Sequence, residues 1–435
     1  MDAVAAWFRL DLRRRWRSLL VLALLIALAA GTVMTVAAGA RRGASAMDRL
    51  QDQTLPATLL VAPVTPGFDW APVRELPEVE ALAQVVYSGF EIDGAPAADS
   101  FMLPPADAEA MRAIERPIVL QGRLADPDRA DEVVVTPAFT RTYGKTVGDS
   151  VALGLYTPGQ VDTGQGPDTA QTNLVADLWI LTYQQQAAAL EADLNPNTTA
   201  PAAGPVVEAT IVGTVRSPLY GDQLDTPGFV VPSAGLYAAY APNLLGADGL
   251  ASVNALVRLA GGEAAIPGFL ASLAEATGRS DIAVYNLAAA ARAIGDTTGF
   301  EANALYVLAI AAGIAAVFLV GLSVARYAAA SAADLRVLGA VGMTAGQSSW
   351  VAVAGPALAA VAGCLLGAAV SVLASRWFPV GSASLVEPAP GVDLDALVLA
   401  AGLIGIPLLV GAGAFTAATV VARSAARPAP ARRSA

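Results

Sequence analysis

Four long runs of apolar residues, unevenly placed along the 435-residue chain, constrain its fold most strongly. Each run is free of charged residues and exceeds the ~18 residues that a helix needs to cross a hydrocarbon core of ~30 Å. One run precedes a long polar block and three follow it, at residues 18–39, 304–325, 351–373 and 396–421. The pattern predicts an α-helical membrane protein with four transmembrane helices, in a one-plus-three arrangement, and a folded domain at residues 40–303 between the first two helices.

Arginines at the ends of the runs predict the orientation. Five of them lie in the N-terminal segment 1–17, and others lie in the loop 326–350 and in the tail 422–435. Because cytoplasmic segments carry the excess of Lys and Arg, we expect both termini and this loop in the cytoplasm and the polar block outside a cell membrane. Arg41 and Arg42, just beyond the first run, oppose this orientation, but the five arginines before that run outnumber them.

A cleaved signal peptide is the alternative for the N-terminus, because a basic segment precedes the first run. The residues at 37–40 are small enough for a cleavage site. The first run is, however, longer than the apolar stretch of about 7 to 15 residues in a typical signal peptide. We therefore expect an uncleaved transmembrane helix.

The residue types that the chain lacks exclude several kinds of chemistry. There is no histidine, which excludes histidine-based zinc sites, Ser-His-Asp triads and Cys-His dyads. The one cysteine, Cys364, lies inside the third run and has no partner for an internal disulfide. Gly144-Lys145 resembles the end of a phosphate-binding loop, but Phe139 stands where that motif requires a glycine. We expect no catalytic residues, no metal, no cofactor and no nucleotide-binding loop in this chain.

The charge is distributed unevenly. The formal net charge is −11, and most of the 37 acidic residues lie in the polar block, whereas the arginines crowd the ends of the apolar runs. Nucleic-acid binding requires a basic surface, so we expect no nucleic acid among the partners. We interpret the acidic residues as a solubilising surface.

Short alternating and β-branched segments predict an α+β fold for the polar block. The predicted strands are residues 58–61, 132–136, 150–155, 206–215 and 253–259, and the predicted helices are residues 106–114, 268–277 and 287–294. The end of the block has the pattern of a split β-α-β unit, with strand, helix and strand at residues 253–259, 266–277 and 281–285. Two lobes are expected, one around residues 121–215 and one formed by this unit.

Several segments together resemble one known family. The polar block contains Gly122-Arg123-Leu124, Asp131-Glu132-Val133-Val134-Val135 and Val147-Gly148-Asp149-Ser150-Val151. With the strand at 206–215, they resemble the core domain of the FtsX-like permeases of MacB-type ABC transporters. The segment at 335–343 closely resembles the L-R-x-L-G motif of that family, and the loop at 374–395 resembles that of its actinobacterial members. The resemblance implies a MacB-like core domain outside the membrane.

The loop between the second and third runs carries the predicted site. Two leucines and two glycines recur there at i, i+3, i+4 and i+7, so a short helix would gather them on one stripe. The resemblance implies that this helix docks on a separate cytoplasmic ABC ATPase subunit, with the leucines as buried anchors. The alternative is a helix that lies on the membrane surface. The predicted coupling interface comprises Asp334, Leu335, Arg336, Leu338, Gly339, Gly342 and Met343.

Small residues in the third and fourth runs predict close helix packing. Gly363 and Gly367 form a G-x-x-x-G pair, and Ala401 and Gly405 continue the pattern in the fourth run. Such residues let helices approach closely in a membrane, although this spacing also arises by chance in a chain rich in alanine.

The resemblance also implies a dimer of two permease halves, homo- or heterodimeric, surrounded by membrane lipids and clamped by two ATPase subunits. Extensions of the first two helices, at 40–50 and 298–304, would then be stalks that carry motion to the outer domain. The runs contain no ionisable residue between their ends, which favours mechanotransmission over a polar pathway through the membrane.

Three functions compete on these grounds. The first is a permease subunit that couples ATP hydrolysis in another chain to movement of its outer domain, for export, extraction or mechanotransmission. The second is a non-transporting membrane regulator or sensor that binds an extracytoplasmic ligand or a cell-wall hydrolase. The third, a membrane-anchored enzyme, is disfavoured by the missing histidines. The cargo stays open, and so does whether the chain is a half that dimerises or a fragment of a longer permease.

Overall fold

The structure is a computed structural model and describes residues 2–86, 88–93, 101–163, 200–222, 227–247, 253–340 and 345–425. The chain divides into two compact units. The first, here called the helical unit, comprises Met1–Ala44, Gly299–Val380 and Ala389–Ala435. The second, the α/β unit, comprises Ser45–Thr298 and Gly381–Pro388.

Among the residues that the structure describes, four helices are long and apolar enough to cross a membrane, and a separate α/β region with β-sheets is present. The candidate spans are Leu12–Ala44, Leu287–Ser331, Ala352–Trp377 and Ala396–Val420. The predicted combination of four membrane helices and a folded polar block is therefore confirmed.

The described helices follow the apolar runs and add several short segments between the strands. They are α1 (Asp2–Ala44), α2 (Ala46–Thr54), α3 (Ala71–Arg74), α4 (Pro137–Tyr143), α5 (Pro158–Asp162), α6 (Ala234–Leu245), α7 (Ile266–Thr277), α8 (Leu287–Ala340), α9 (Ala345–Ala374), α10 (Ala383–Val386) and α11 (Ala396–Ala425).

The described strands all lie in the α/β unit. They are β1 (Leu59–Ala62), β2 (Val79–Val86), β3 (Ser88–Gly89), β4 (Glu91–Ile92), β5 (Phe101–Met102), β6 (Ile118–Gly122), β7 (Glu132–Val135), β8 (Ser150–Gly154), β9 (Val206–Arg216), β10 (Val230–Pro232), β11 (Val253–Leu259) and β12 (Ala283–Asn286).

A four-stranded sheet with the order β12-β1-β11-β2 contains the predicted split β-α-β unit. β11 and β12 each pair antiparallel with β1, so they run parallel to one another with β1 between them. α7 connects them and buries Phe269 and Leu273 in a core with Leu59, Val61 and Val257. Burial of these apolar side chains supplies the driving force for packing the helix on the sheet.

A six-stranded sheet is built around β9, the longest of the described strands. Its order is β10-β7-β9-β8-β4, and β6 also pairs with β9. β8 pairs with the first half of β9 and β6 with the second half, while β7 runs parallel to it. Val207, Ala209 and Ile211 alternate inward along β9, as expected for a strand with one buried face.

Gly122, Arg123 and Glu132, which belong to the segments with the family resemblance, lie where strands of this sheet meet. Arg123 Nη1 and Nη2 donate to Glu132 Oε2 and Oε1, both at 2.7 Å, and join the end of β6 to the start of β7. Gly122 has a φ of +75°, and an ideal Cβ on it would clash with the Val212 carbonyl oxygen of β9. A glycine is therefore required at this end of β6, where it pairs with β9, because any side chain would meet the backbone of β9 there.

The ion pair predicts a pH-dependent stability. Hydrogen bonds from Arg123 hold the pKa of the nearly buried Glu132 at about 2, below its ordinary value of 4.5. Because that pKa is lowered on folding, the stabilisation is present above pH 4.5 and is lost as the pH falls towards 2. Arg123→Met should lower the midpoint of thermal unfolding at pH 7, and the deficit should shrink between pH 4 and pH 2.

Arg116→Met, which changes an exposed arginine of the same unit, is the matched control and should shift the midpoint little at any pH. If Arg123→Met lowered the midpoint of thermal unfolding by the same amount at every pH from 7 to 2, the lowered pKa of Glu132 would not contribute to stability as described.

The helical unit packs α9 between α1 and α11. Its buried core includes Ile26 of α1, Cys364 of α9 and Ala414 of α11, and α8 joins it through Val320 and Val324. Large apolar side chains remain exposed along α8 and α11, and these include Val307, Ile310, Ile314, Val317, Phe318, Leu397, Ile404, Leu408 and Leu409. In a membrane, such faces contact lipid chains rather than water.

The second predicted span differs most from its expected limits. A stalk at 298–304, a span at 304–325 and a separate short helix near 335–342 were expected, but α8 runs without interruption from Leu287 to Ala340. Its final part is rich in Ala, Leu and Arg, which have high helix propensities, and it contains no proline.

The helix predicted at 106–114 is wrong, because the segment forms turns. Asp107 Oδ1 accepts hydrogen bonds from the backbone N–H groups of Glu109 and Ala110, and its Oδ2 accepts one from Gln84 of β2. Short polar side chains that satisfy backbone groups in this way compete with helix formation.

Candidate functional site

The predicted coupling segment lies at the end of α8. Asp334, Leu335, Arg336, Leu338 and Gly339 belong to the last turns of this helix, which ends at Ala340. Gly342 and Met343 lie outside the described residues. The segment therefore continues the long helix. That its two leucines and two glycines share one face remains a prediction from their helical spacing.

Glycines on α9 set the distance between α9 and α1. An ideal Cβ on Gly363 would lie 2.6 Å from the Ala23 carbonyl oxygen, and one on Gly367 would lie 2.8 Å from the Gly31 backbone nitrogen. Both distances are shorter than any real carbon contact, so the two backbones touch at both glycines. The G-x-x-x-G pair thus lies at a close crossing with α1.

The second predicted pair does not make such a contact among the described residues. Ala401 is exposed, and an ideal Cβ on Gly405 would meet no atom within 4 Å. The close contact between α11 and α1 lies at Gly402 instead, because a Cβ there would overlap the side chain of Met34 on α1. The neighbour that α11 meets determines which small residue matters, and the sequence spacing carries no information about that neighbour.

Arg41 and Arg42, which opposed the predicted orientation, are both engaged at the end of α1. Arg42 is buried, and its guanidinium donates to the carbonyl oxygens of Ser375 at 3.2 Å and Gly391 at 2.9 Å. Arg41 forms an ion pair with Asp395 at 3.4 Å. These contacts give both arginines a structural role at that end of the helix.

The short connection between α9 and α11 contains a segment that belongs to the α/β unit. This segment, Gly381–Pro388, is called the clasp loop below. Glu387 is nearly buried and accepts a hydrogen bond from Arg49 of α2 at 2.6 Å, and its carbonyl oxygen accepts one from Arg216 of β9. Apolar contacts add to these bonds, since Val386 shares a small core with Leu50.

The contacts of the clasp loop were not recognised from the sequence, where residues 374–395 were interpreted as the extracytoplasmic loop between the third and fourth runs. Its one available signal was Glu387, an acid next to a proline in a short loop between two apolar runs. The α/β unit is consequently continuous with the helical unit at α1, at α8 and on both sides of the clasp loop.

Within the described residues, no three side chains of the His, Cys, Asp and Glu types are grouped so that they would hold a metal ion. Comparison with known proteins adds no relative, because no protein-family model and no curated protein matches the chain.

Proposed function

We propose that the chain is the transmembrane permease subunit of an ABC transporter of the MacB or FtsX type. In this proposal a separate cytoplasmic ATPase docks on residues 334–343 and its hydrolysis of ATP moves the α/β unit on the other side of the membrane. The α/β unit would correspond to the extracytoplasmic core domain of that family. Export, extraction and mechanotransmission are all compatible with such movement.

One observation carries the proposal: α8 is a single helix of 54 residues that begins directly after β12 and ends inside the coupling segment. At ~1.5 Å per residue its length along the axis is ~80 Å, well beyond the ~30 Å of a hydrocarbon core. A helix transmits displacement along its length because each turn is hydrogen-bonded to the next. The same element thus joins the predicted input to the β-sheet.

The clasp loop supports the same mechanism. It ties the connection between α9 and α11 to α2 and β9 through Glu387, so a second route into the α/β unit exists beside α8. The two arginines that hold Glu387 make hydrogen bonds of the charge-assisted kind to its carboxylate or its carbonyl oxygen, which are stronger than neutral ones. Motion of α9 and α11 would therefore reach the α/β unit directly.

The exposed apolar faces of α8 and α11 support a location in lipid and, in part, contact with a second permease half. The proposed orientation keeps residues 1–17, the coupling segment and the C-terminal tail in the cytoplasm. The buried Arg42 and the ion pair of Arg41 support this orientation, because both arginines then have structural partners at the end of α1.

Loss of the ATPase is the direct test of docking. The tagged chain is co-expressed with a candidate ABC ATPase subunit from the same organism, and the complex is isolated in detergent. Leu338→Arg places a charge on the apolar stripe, so burial in the interface becomes costly and recovery of the ATPase should fall at least tenfold. Quantitative immunoblotting and the ATP hydrolysis of the isolated complex give the readout.

Ala333→Arg is the matched control, because it adds the same charge to the opposite side of α8 by helical spacing and should leave the complex intact. Retention of the ATPase by Leu338→Arg at the level of the native chain would exclude docking on this stripe. A regulator or sensor that acts without an ATPase would then be favoured.

A further inference from the structure

Between residues 13 and 28, α1 has two opposite faces, and one of them packs inside the helical unit. Leu19 and Ile26 are buried in its core. Arg15 lies on the same face by helical spacing. Its Nη2 donates to the Ala330 carbonyl oxygen of α8 at 3.2 Å, and its guanidinium lies 5.6 Å from the centroid of the Tyr327 ring. Arg15 is therefore part of the packing between α1 and α8.

The other face of this part of α1 is a continuous exposed stripe, here called the α1 stripe. Its members recur at i, i+4, i+7, i+11 and i+15, so they share one side of the helix. They are Arg13, Arg17, Leu20, Leu24 and Leu28, and all of them are exposed. The α1 stripe thus places two guanidinium groups directly before a row of exposed leucines.

Trp16 lies beside the basic end of the α1 stripe and indicates its depth in a membrane. It is 53% exposed, and the Arg17 guanidinium lies 5.6 Å from the centroid of its ring. Tryptophan is enriched at the membrane–water interface, because its ring is apolar and its N–H is polar. From Arg17 to Leu28 the helix rises ~16 Å at ~1.5 Å per residue, about half of a ~30 Å hydrocarbon core. The α1 stripe therefore extends from the level of the lipid head groups through one leaflet.

The charge at this end of the helical unit favours an anion. Residues 1–17 contain five arginines and two aspartates. The acids of the helical unit whose side chains the structure describes lie elsewhere. Asp393 and Asp395 lie at the C-terminal end of α1. Glu301 precedes Tyr327 by ~39 Å along α8, at ~1.5 Å per residue. Basic clusters at the end of a transmembrane helix attract anionic lipids.

We propose that the α1 stripe binds an anionic phospholipid, with its head group on Arg13 and Arg17 and an acyl chain along the leucines. The two arginines are one helical turn apart, ~6 Å along the axis, so both can reach oxygens of one head group. A zwitterionic lipid also has a phosphate, but its ammonium group would add a positive charge beside the two guanidinium groups. A free phosphate would leave the leucines uncovered. This inference goes beyond permease function, because it needs only the insertion of α1 in a membrane.

The position of the lipid has a functional consequence. Arg15, on the opposite side of the same helical turns, contacts Ala330, which lies one turn before Asp334 at the start of the coupling segment. A head group bound to Arg13 and Arg17 would order these turns of α1. Anionic lipid would thus stabilise the part of α1 that holds the coupling end of α8.

The test measures how strongly brominated lipids quench the fluorescence of Trp16 in the full chain in nanodiscs. Brominated phosphatidylglycerol and brominated phosphatidylcholine, with identical acyl chains, are compared at the same low mole fraction in unbrominated phosphatidylcholine. The chain has six tryptophans, so the contribution of Trp16 is the difference between each protein and its Trp16→Phe counterpart. The anionic lipid should quench this contribution about threefold more strongly than the zwitterionic lipid, or more.

The variant with both Arg13→Gln and Arg17→Gln loses the two charges but keeps the leucines and Trp16. The two lipids should therefore quench its Trp16 equally. Arg326→Gln is the matched control, because it removes the charge of an exposed arginine next to Tyr327 on α8 and should retain the preference. Inorganic phosphate should leave the preference of the native chain as it is in sodium chloride of equal ionic strength.

Each of four results would overturn the inference. Equal quenching by the two lipids in the native chain would mean that the α1 stripe contacts lipid without selecting a head group. Protection of Trp16 from both lipids would assign this face to a second copy of the chain or another protein. Loss of the preference in phosphate but not in chloride would assign the arginines to a free anion. An unchanged preference in the double variant would exclude Arg13 and Arg17 as the head-group site.

Discussion

Gly367→Leu is expected to separate α1 from α9 and to destabilise the helical unit by about 3 kcal/mol or more. A Cβ at this position would lie 2.8 Å from the Gly31 nitrogen and 2.9 Å from the Ala27 carbonyl oxygen. Overpacking against side chains typically costs about 1 to 3 kcal/mol because side chains can move aside. Here the obstructing atoms are backbone of α1, so relief requires the whole helix to shift.

The measurement is the midpoint of thermal unfolding of the full chain in detergent, followed by size-exclusion chromatography of the heated samples. Gly405→Leu is the matched control, because a Cβ on Gly405 meets no atom within 4 Å and the larger side chain would project from α11 freely. Gly367→Leu with the midpoint of the native chain would show that the close crossing of α1 and α9 contributes little to stability.

Glu115→Gln is expected to change the pH dependence of stability of the α/β unit. Burial raises the pKa of Glu115 from 4.5 to about 7, so the folded chain holds a proton that the unfolded chain releases between these values. For a carboxyl whose pKa is raised on folding, the stabilisation is complete below pH 4.5 and is lost as the pH rises through 7. The shift corresponds to about 3 kcal/mol, at ~1.4 kcal/mol per pKa unit.

Glutamine does not titrate, and its amide NH₂ cannot accept a hydrogen bond from either Ala57 or Leu219. At pH 5 the variant should therefore unfold at a lower temperature than the native chain. By pH 8 the difference in free energy of unfolding between the native chain and the variant should shrink by about 2 to 3 kcal/mol, because the native chain then carries a buried charge. Thermal midpoints between pH 5 and pH 8 give this difference.

Glu109→Gln, which changes an exposed carboxyl close to Glu115 in sequence, is the control and should reproduce the pH dependence of the native chain. A gap between native chain and Glu115→Gln that stays constant from pH 5 to pH 8 would mean that Glu115 does not titrate in this range.

The successes of sequence interpretation have local causes. The four membrane helices follow from uncharged runs, and strands such as β9 and β11 follow from alternating or continuous β-branched residues bounded by turn residues. The β-α-β order of β11, α7 and β12 was also readable, because each element lies next to the following one in the chain.

The sequence-based predictions that failed have a common cause: residues distant in the chain decide the local structure or the packing. Residues 106–114 have a helical composition, yet the segment forms turns, and the Asp107 carboxylate accepts a hydrogen bond from the backbone N–H of Gln84 in β2. β2 itself, with two alanines among its eight residues, is a strand because it pairs with β11. Ala401 and Gly405 have the same spacing as Gly363 and Gly367, but only the latter pair meets α1.

By itself the sequence determined that this chain has four helices able to cross a membrane and an acidic α/β block between the first two. That information is local, since it lies in the hydropathy and the charge of consecutive residues. Only the tertiary structure decided that α8 is continuous from β12 to Ala340, that the clasp loop joins the α/β unit through Glu387, and that Arg258 and Glu115 line one cavity. These features depend on burial and on contacts between segments hundreds of residues apart, which no local pattern encodes.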